Sequence, residues 1–389
     1  MSDASREGAV TTELNCDLLV IGAGPAGGMT ALLAARRGLQ VTLVDGKSFP
    51  RPKVCGGCLN PRAVRILHQQ GFSEFLARSG GVPLRDLTVF TDSGALQVPL
   101  PTGFGLSRMR LDQELVRAAV SAGVQFIPET TAKVDHDCVD DERVTRLISS
   151  RGAGLVRSRI VVVADGLLRS SVTAFPEFSS RRSSNSRIGL GATLIDSSPT
   201  YPAGRIHMAV SREGYVGIAR LEEGLLNLAC ALDPKAIGTG SRPVDVVSRI
   251  LTAADAAIPA AIQQLDWTGT PLLTSRPGRV AGQRIFLIGD SAGYVEPFTG
   301  EGISAALECA LELAPLLPQA CRKWDDQWSD HWVMTHRRLI ARRQWICRLL
   351  AGLLRNPFCV RNAMHLCRWF PAIPQCLASQ ISSSVSVTA

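Results

Sequence analysis

Gly22-Ala23-Gly24-Pro25-Ala26-Gly27 is the stretch on which the fold turns. Apolar residues 17–22 lead into it, and the Ala-, Leu- and Met-rich run 25–37 leaves it. A second apolar, partly β-branched run follows at 39–45. That order reads strand, helix, strand, the first unit of a parallel doubly wound sheet. Each glycine then has a task. Gly22 permits the tight turn, Gly24 lets the backbone approach a diphosphate, and Gly27 lets the helix pack closely on the strand. The helix N-terminus offers unpaired N–H groups and the positive end of its dipole to the phosphates. Asp45, closing the second strand, is placed to accept hydrogen bonds from the ribose of a bound dinucleotide.

The fingerprint serves FAD and NAD alike, and a second motif separates them. Arg284-Ile285-Phe286-Leu287-Ile288-Gly289-Asp290-Ser291-Ala292-Gly293 reads as a buried strand ending at a bare backbone, from which Asp290 can reach a ligand hydroxyl. Pro297-Phe298-Thr299-Gly300-Glu301-Gly302 then forms a glycine-bearing loop that opens an Ala- and Leu-rich helix near Ile303. Its N–H groups are suited to the negative charge of a reduced flavin. FAD is therefore the expected cofactor. Glu296, beside the loop, reads as an exposed loop acid.

Around these motifs the chain reads as α/β, a discontinuous Rossmann-type FAD-binding domain with an inserted antiparallel sheet. The expected FAD-binding parts are residues 12–81, 108–185 and 269–318. Short alternating runs with turn signals place substrate-domain strands in 82–107 and a β-rich substrate domain in 186–268. Residues 319–376 read as basic helices broken at Pro357 and Pro371, and 377–389 as a flexible tail.

The formal charge of +8 is concentrated at one end. After His331 there are eight arginines and no acid, so the rest of the chain is nearly neutral. Leu339, Ile346, Leu349, Leu350 and Leu353 fall at helical spacing among these arginines, with Trp332 and Trp345 flanking them. Two readings stay open: peripheral contact with an anionic membrane, or packing on the FAD domain behind a solvated arginine face. No nucleic-acid-binding module accompanies the arginines. No apolar run approaches the roughly 20 residues a bilayer requires, and the N-terminus lacks a signal-like stretch. A cytoplasmic location is expected, peripheral to the inner face of the membrane on the first reading. The eleven dispersed cysteines read as reduced thiols, and no metal site is expected.

The paired motifs resemble those of the para-hydroxybenzoate hydroxylase-like flavoprotein superfamily. Within it, Arg51-Pro52-Lys53-Val54-Cys55-Gly56-Gly57 and the 297–303 loop are most similar to the FAD-dependent geranylgeranyl reductase branch. The resemblance covers about residues 15–315. It implies that Arg108 and Lys53 contact the cofactor and that Asp290 meets the flavin ribityl chain. It further implies that Pro297, Gly300, Gly302 and Ile303 cradle the isoalloxazine. Asp165-Gly166 matches the family's Asp-Gly motif, although Arg169 stands where that motif has serine. Gly214-Tyr215-Val216-Gly217 matches the pocket-lining strand, keeping Tyr215 but not the neighbouring Trp and Phe-Pro.

The reaction is left open between two classes acting on a hydrophobic substrate. One is carbon–carbon double-bond reduction of an isoprenoid-like lipid, with Cys55 supplying or relaying a proton and Tyr215 lining the pocket. The other is hydroxylation of a phenolic or polyketide substrate through a flavin hydroperoxide. Halogenation and simple electron carriage are weaker readings. With one dinucleotide fingerprint, the reductant is expected to visit transiently, as NAD(P)H or a reduced protein donor. Cys55 and Cys58 also have the spacing of a redox disulfide.

Overall fold

The computed structural model describes residues 12–370, other than 151, 184, 239, 240, 297 and 299, together with residue 372. The expected tail at 377–389 and Pro297 of the flavin loop therefore lie outside the described residues.

The strand Thr12–Ile21 occupies the middle of an eight-stranded sheet. Val41–Val44 and Gln125–Ile127 lie to one side of it, Gly152–Val163 and Ile285–Leu287 to the other, and all four pairings are parallel. An antiparallel meander through Thr130–Val139 and Glu142–Ser149 returns the chain to Gly152–Val163. Parallel strands are covered on both faces, which is why the central runs lack alternation. On one face lie the helices Pro25–Ala35, Arg108–Ser121 and Gly302–Leu313, contributing Met29, Leu115 and Leu307 to the core. Val134, Leu147, Phe175 and Phe178 cover the other.

The glycines set how closely these layers meet. Gly22 has φ of +101°, and a side chain at Gly27 would begin 1.8 Å from the Gly22 carbonyl oxygen. Gly289, at φ +58°, would place a Cβ 2.9 Å from that of Ala26. The two motifs separated by more than 260 residues therefore touch where the bare backbone of Gly289 meets the Ala26 methyl group.

A second eight-stranded sheet runs in the spatial order Thr268–Leu272, Ile188–Ile195, Leu225–Leu232, Gly214–Arg220, Arg205–Ser211, Val82–Thr91, Gly94–Gly105, Cys58–Leu59. Its pairings are antiparallel with one exception: Arg205–Ser211 runs parallel to Val82–Thr91. The difference from the antiparallel expectation falls where two separate crossings of the chain meet, so no hairpin dictates direction there. The helix Pro243–Ala253 buries Val246, Val247 and Ile250 against one face. On the other face Met208, Tyr215 and Leu273 form a cluster with Tyr294 and Phe298. Buried Glu222 accepts a 2.9 Å hydrogen bond from the Ser107 amide, tying this sheet to the start of Arg108–Ser121.

The C-terminal helices are Leu317–Arg322, Gln327–Leu353 and Pro357–Trp369. Trp332 is fully buried and its indole N–H donates to the Leu287 carbonyl at 3.1 Å. Leu339 and Ile340 pack on the same core. The helix Gln327–Leu353 thus packs on the nucleotide sheet over its first half, and Trp332 belongs to the core rather than to a surface stripe.

Two histidines are held in apolar surroundings. His336 is buried against Trp332, and His207 lies between Phe90 and Tyr201; neither Nε2 has a hydrogen-bond partner. Burial pushes both pKa values down, to about 4. The unfolded chain takes up these protons near pH ~6.5 while the native state stays neutral. Stability contributed by the neutral rings is therefore present above pH ~6.5 and lost as pH falls toward ~4. Thermal melts across that window are expected to show a falling Tm, and His336→Gln to flatten part of the decline. A pH-independent Tm would contradict the assignment.

Candidate flavin site

The helix Pro25–Ala35 begins at Gly24 with no side-chain cap, which leaves its first N–H groups for a ligand. Asp45 fixes the loop before it: Oδ2 accepts from the Ala23 amide at 2.8 Å and Oδ1 from the Lys47 amide at 3.0 Å. Arg51 adds a 3.2 Å contact to Oδ2. A carboxylate offers about four acceptor positions, so Asp45 keeps capacity on Oδ1 for a ribose hydroxyl.

Two guanidinium groups stand over the glycine loop. A Cβ on Gly24 would lie 3.3 Å from Arg108 Nη2 and 3.9 Å from Arg51 Nη2. Asp112 holds both: Arg108 donates to it at 2.8 and 2.7 Å, and Arg51 reaches it at 3.3 Å. Asp112 is fully buried. Burial opposes charge on Arg108, but the Asp112 carboxylate outweighs it and the guanidinium pKa moves up. Arg51 is shared between Asp45 and Asp112 while Arg108 pairs with Asp112, so two carboxylates hold both guanidinium groups over the loop.

Farther along the cleft, Lys53 Nζ comes within 3.2 Å of where a Gly166 side chain would begin. Lys53 is open to the cleft yet crowded by protein atoms. That crowding, with Arg108 adding to it, pushes its pKa down while Asp290 opposes. Asp165 accepts from the Ser171 amide through Oδ2 at 2.9 Å, whereas its buried Oδ1 has no partner. Burial pushes the Asp165 pKa up despite the Ser171 hydrogen bonds. Arg169, the departure from the Asp-Gly motif, is buried and donates to the Ser291 carbonyl and, at 3.1 Å, to the Ser275 hydroxyl. It holds the turn Gly289–Ala292 that carries Asp290.

Gly300 has φ of +68°, and Gly302 starts the helix whose N-cap, Glu301, makes no side-chain capping bond. Ile303 is buried beneath it. The strap 51–58 crosses from the phosphate end to this loop: a Cβ on Gly300 would lie 3.9 Å from that of Cys58. Cys55 is held by its carbonyl, which accepts from Asn227 of the second sheet at 3.0 Å. Its sulfur accepts from the Gly57 amide at 3.4 Å and lies within electrostatic reach of Arg108 and Tyr294. Both strap cysteines are free thiols, and burial pushes the Cys58 pKa up to about 12.

Glu296 differs from its sequence reading as an exposed loop acid. It is 1% exposed and pairs with Arg187 at 2.7 Å, itself 1% exposed, and with Arg355 at 3.7 Å. Removing a buried charge from water is repaid only by such partners. The Arg187 guanidinium carbon lies 5.4 Å from the centre of the Tyr215 ring, and Tyr215 meets Phe298 of the loop edge-on at 5.2 Å. Sequence reasoning missed Arg51, Asp112, Arg187 and Glu296. Only Asp112 had a local signal, four residues after Arg108 on one helix. Among the described residues no cluster of His, Cys, Asp and Glu could hold a metal.

Comparison with known proteins gives the family. The FAD binding domain family matches residues 15–343. A menaquinone reductase of Mycobacterium tuberculosis (strain ATCC 25618 / H37Rv) is 30% identical over 343 residues, covering 82% of this chain and 81% of that protein. Digeranylgeranylglycerophospholipid reductase 2 of Methanosphaera stadtmanae is 25% identical, covering 80% of each. Among solved structures, p-nitrophenol 4-monooxygenase from Pseudomonas putida DLL-E4 superposes with a TM-score of 0.77 at 16% identity, over 97% of this chain and 100% of that one. That likeness is one of fold.

Asp112→Asn is expected to leave Arg108 uncompensated and Arg51 with Asp45 alone, and to destabilise the FAD-free protein by roughly 3–5 kcal/mol. Saturating FAD should restore more of the melting temperature than it adds to wild type, because its diphosphate supplies the missing charge. Equal FAD-induced shifts in both proteins would remove the two arginines from the phosphate site.

Proposed function

The chain belongs to the FAD binding domain family and is an FAD-dependent oxidoreductase, and from that premise we propose that it reduces carbon–carbon double bonds in an isoprenoid-like lipid. The observation that carries this reading is the placement of the thiol strap between the 297–302 loop and the second sheet. The names of the menaquinone and digeranylgeranylglycerophospholipid reductases support the same substrate class.

Bound FAD supplies hydride chemistry. The residues that fit it are those of the glycine loop with Asp45, Arg51, Lys53, Arg108, Asp165 and Asp290, and the backbone at Gly300, Gly302 and Ile303. The unpartnered Oδ1 of Asp165 and the bare approach to Gly24 suit a bound ligand. In this proposal Cys55 delivers a proton to the substrate carbon and recovers it from solvent. Cys58, with its raised pKa, stays a thiol at neutral pH and favours proton donation over disulfide exchange. Tyr215, Tyr294 and Phe298 give the pocket an apolar wall that excludes water. The second sheet is the substrate-binding unit, and NAD(P)H or a reduced protein donor visits to supply electrons.

Anaerobic stopped-flow mixing of the photoreduced holoenzyme with a polyprenyl glycerol ether, which has no quinone ring to accept the electrons, tests the reaction. Rapid reoxidation with formation of the saturated side chain is expected, slowed on the order of 100-fold in Cys55→Ala with FAD retained. Reoxidation only by oxygen, with hydroxylation of a phenolic probe, would replace the reductase reading with the monooxygenase one.

A lipid substrate also gives the C-terminal helices a task. No helix among the described residues is long and apolar enough to cross a membrane. Phe358, Leu366 and Trp369 are nevertheless exposed along one face of Pro357–Trp369, in a region with arginines and no acids. We propose that this face rests on an anionic bilayer. Co-sedimentation with anionic but not neutral vesicles is expected, and Phe358→Ser/Trp369→Ser should weaken it severalfold. Equal recovery with both vesicle types would exclude a charge-assisted contact.

A further inference from the structure

Two short strands, Ser180–Arg182 and Ser275–Pro277, form an antiparallel ribbon where the chain leaves the first sheet for the second and returns. In its register Arg181 stands directly opposite Arg276, and Arg182 opposite Ser275. Directly opposed residues share a face, so two guanidinium groups meet there, an arrangement that weakens a ribbon. All three arginines are exposed, and among the described residues none has an ion pair or hydrogen bond through its side chain. Arg146, Arg242 and Arg249, also on open surface, each pair with an acid. The ribbon therefore carries a local positive charge that the protein itself does not neutralise.

Short polar links fasten this ribbon to the flavin site. Buried Ser275 exchanges two backbone hydrogen bonds with Tyr294, at 3.0 and 2.9 Å, and its hydroxyl accepts from Arg169 at 3.1 Å. Tyr294 leads into the flavin loop, and a Cβ on Gly302 would lie 3.9 Å from its ring. Arg169 ends the loop that Asp165 and Gly166 begin, and Gly166 faces Lys53 in the cofactor cleft. Within the same loop Leu168 is 62% exposed, while its neighbour Leu167 packs in the cluster of Tyr294 and Phe298. Arg182 lies within electrostatic reach of Arg169, and Lys133 donates to the Ser170 carbonyl. An exposed leucine and four cations without acidic partners thus border the cofactor cleft from outside.

We propose that this surface docks an acidic one-electron carrier protein in its reduced state, the visiting donor to the flavin. The inference rests on the reading that a visiting donor supplies the electrons, and it is independent of which substrate receives them. Charge complementarity commits the face to an acidic partner. One exposed apolar residue beside a charged ribbon matches the small interfaces of transient electron-transfer pairs, whose encounter is steered by charge. A nicotinamide nucleotide calls for a concave site, whereas these arginines stand exposed on a ribbon. Two dockings in turn oxidise two carriers and deliver two electrons to the bound FAD, with one proton drawn from solvent.

The test measures binding of an acidic [2Fe–2S] ferredoxin to FAD-loaded enzyme by calorimetry at low and high salt. Anaerobic stopped flow then follows flavin reduction by the same carrier. Wild type is expected to bind it at low salt and to lose roughly tenfold in affinity at high salt. Arg181→Glu/Arg276→Glu keeps two like charges opposed, so Tm is expected to hold while affinity and reduction rate each fall on the order of tenfold. Arg181→Glu alone creates an opposed ion pair and should raise Tm while still weakening the carrier. Binding that rose with Tm in that variant would make the arginines structural and overturn the docking surface. Leu168→Ser should weaken binding severalfold with its salt dependence unchanged. Carrier binding and reduction that survive the double charge reversal would also overturn the proposal. So would a double variant that keeps the carrier but loses anionic vesicles, which would assign the face to a bilayer. Failure of the lipid-reductase reading looks different: photoreduced enzyme would leave the polyprenyl ether unsaturated while salt-dependent carrier binding persists.

Discussion

The structure depends on how closely bare backbone can approach bare backbone at the end of one strand. Gly27 sits against the carbonyl of Gly22, and Gly289 against Ala26. With a Cβ at Gly27 or Gly289, the first helix or the distant turn would stand off the sheet, at a cost typical of overpacked cores. That contact sets where Asp45, Asp290 and the unpaired helix N–H groups stand relative to one another. The charge arrangement is built on it: Asp112 restrains two arginines at a position only a glycine allows them to approach.

The second constraint is electrostatic and lies at the opposite end of the cleft. A glutamate with 1% exposure is stable only because arginines from two other elements meet it. Arg187 precedes a strand of the second sheet, Arg355 follows the long C-terminal helix, and Glu296 precedes the flavin loop. The loop is therefore held from the second sheet and from the C-terminal side at once. The nucleotide end, by contrast, is held by backbone geometry and two carboxylates, Asp45 and Asp112.

The parts legible in sequence were those encoded by local chemistry. Gly22, Gly24 and Gly27 announce a turn and close packing by spacing alone, and Gly289-Asp290 ends an apolar run visibly. The break at Pro357 was likewise local. What sequence could not carry were pairings between distant segments. Glu296 looks like any loop acid until Arg187, more than a hundred residues earlier, is folded onto it. Trp332 looks like an interfacial anchor because its neighbours are arginines, yet its indole closes on a strand carbonyl. The parallel pairing of Arg205–Ser211 with Val82–Thr91 has no turn to signal it.

The shared glutamate also bears on how such proteins diversify. A second sheet exchanged between relatives would arrive with its own residue at the position of Arg187, and a new C-terminal segment with its own at Arg355. Either exchange alone would leave that buried negative charge with one arginine in place of two. Substrate range in this lineage is therefore expected to change by paired replacements or by substitutions around the apolar wall, and recombination at the sheet boundary to be penalised. A designer grafting pockets would need to move the ionic triad as one unit.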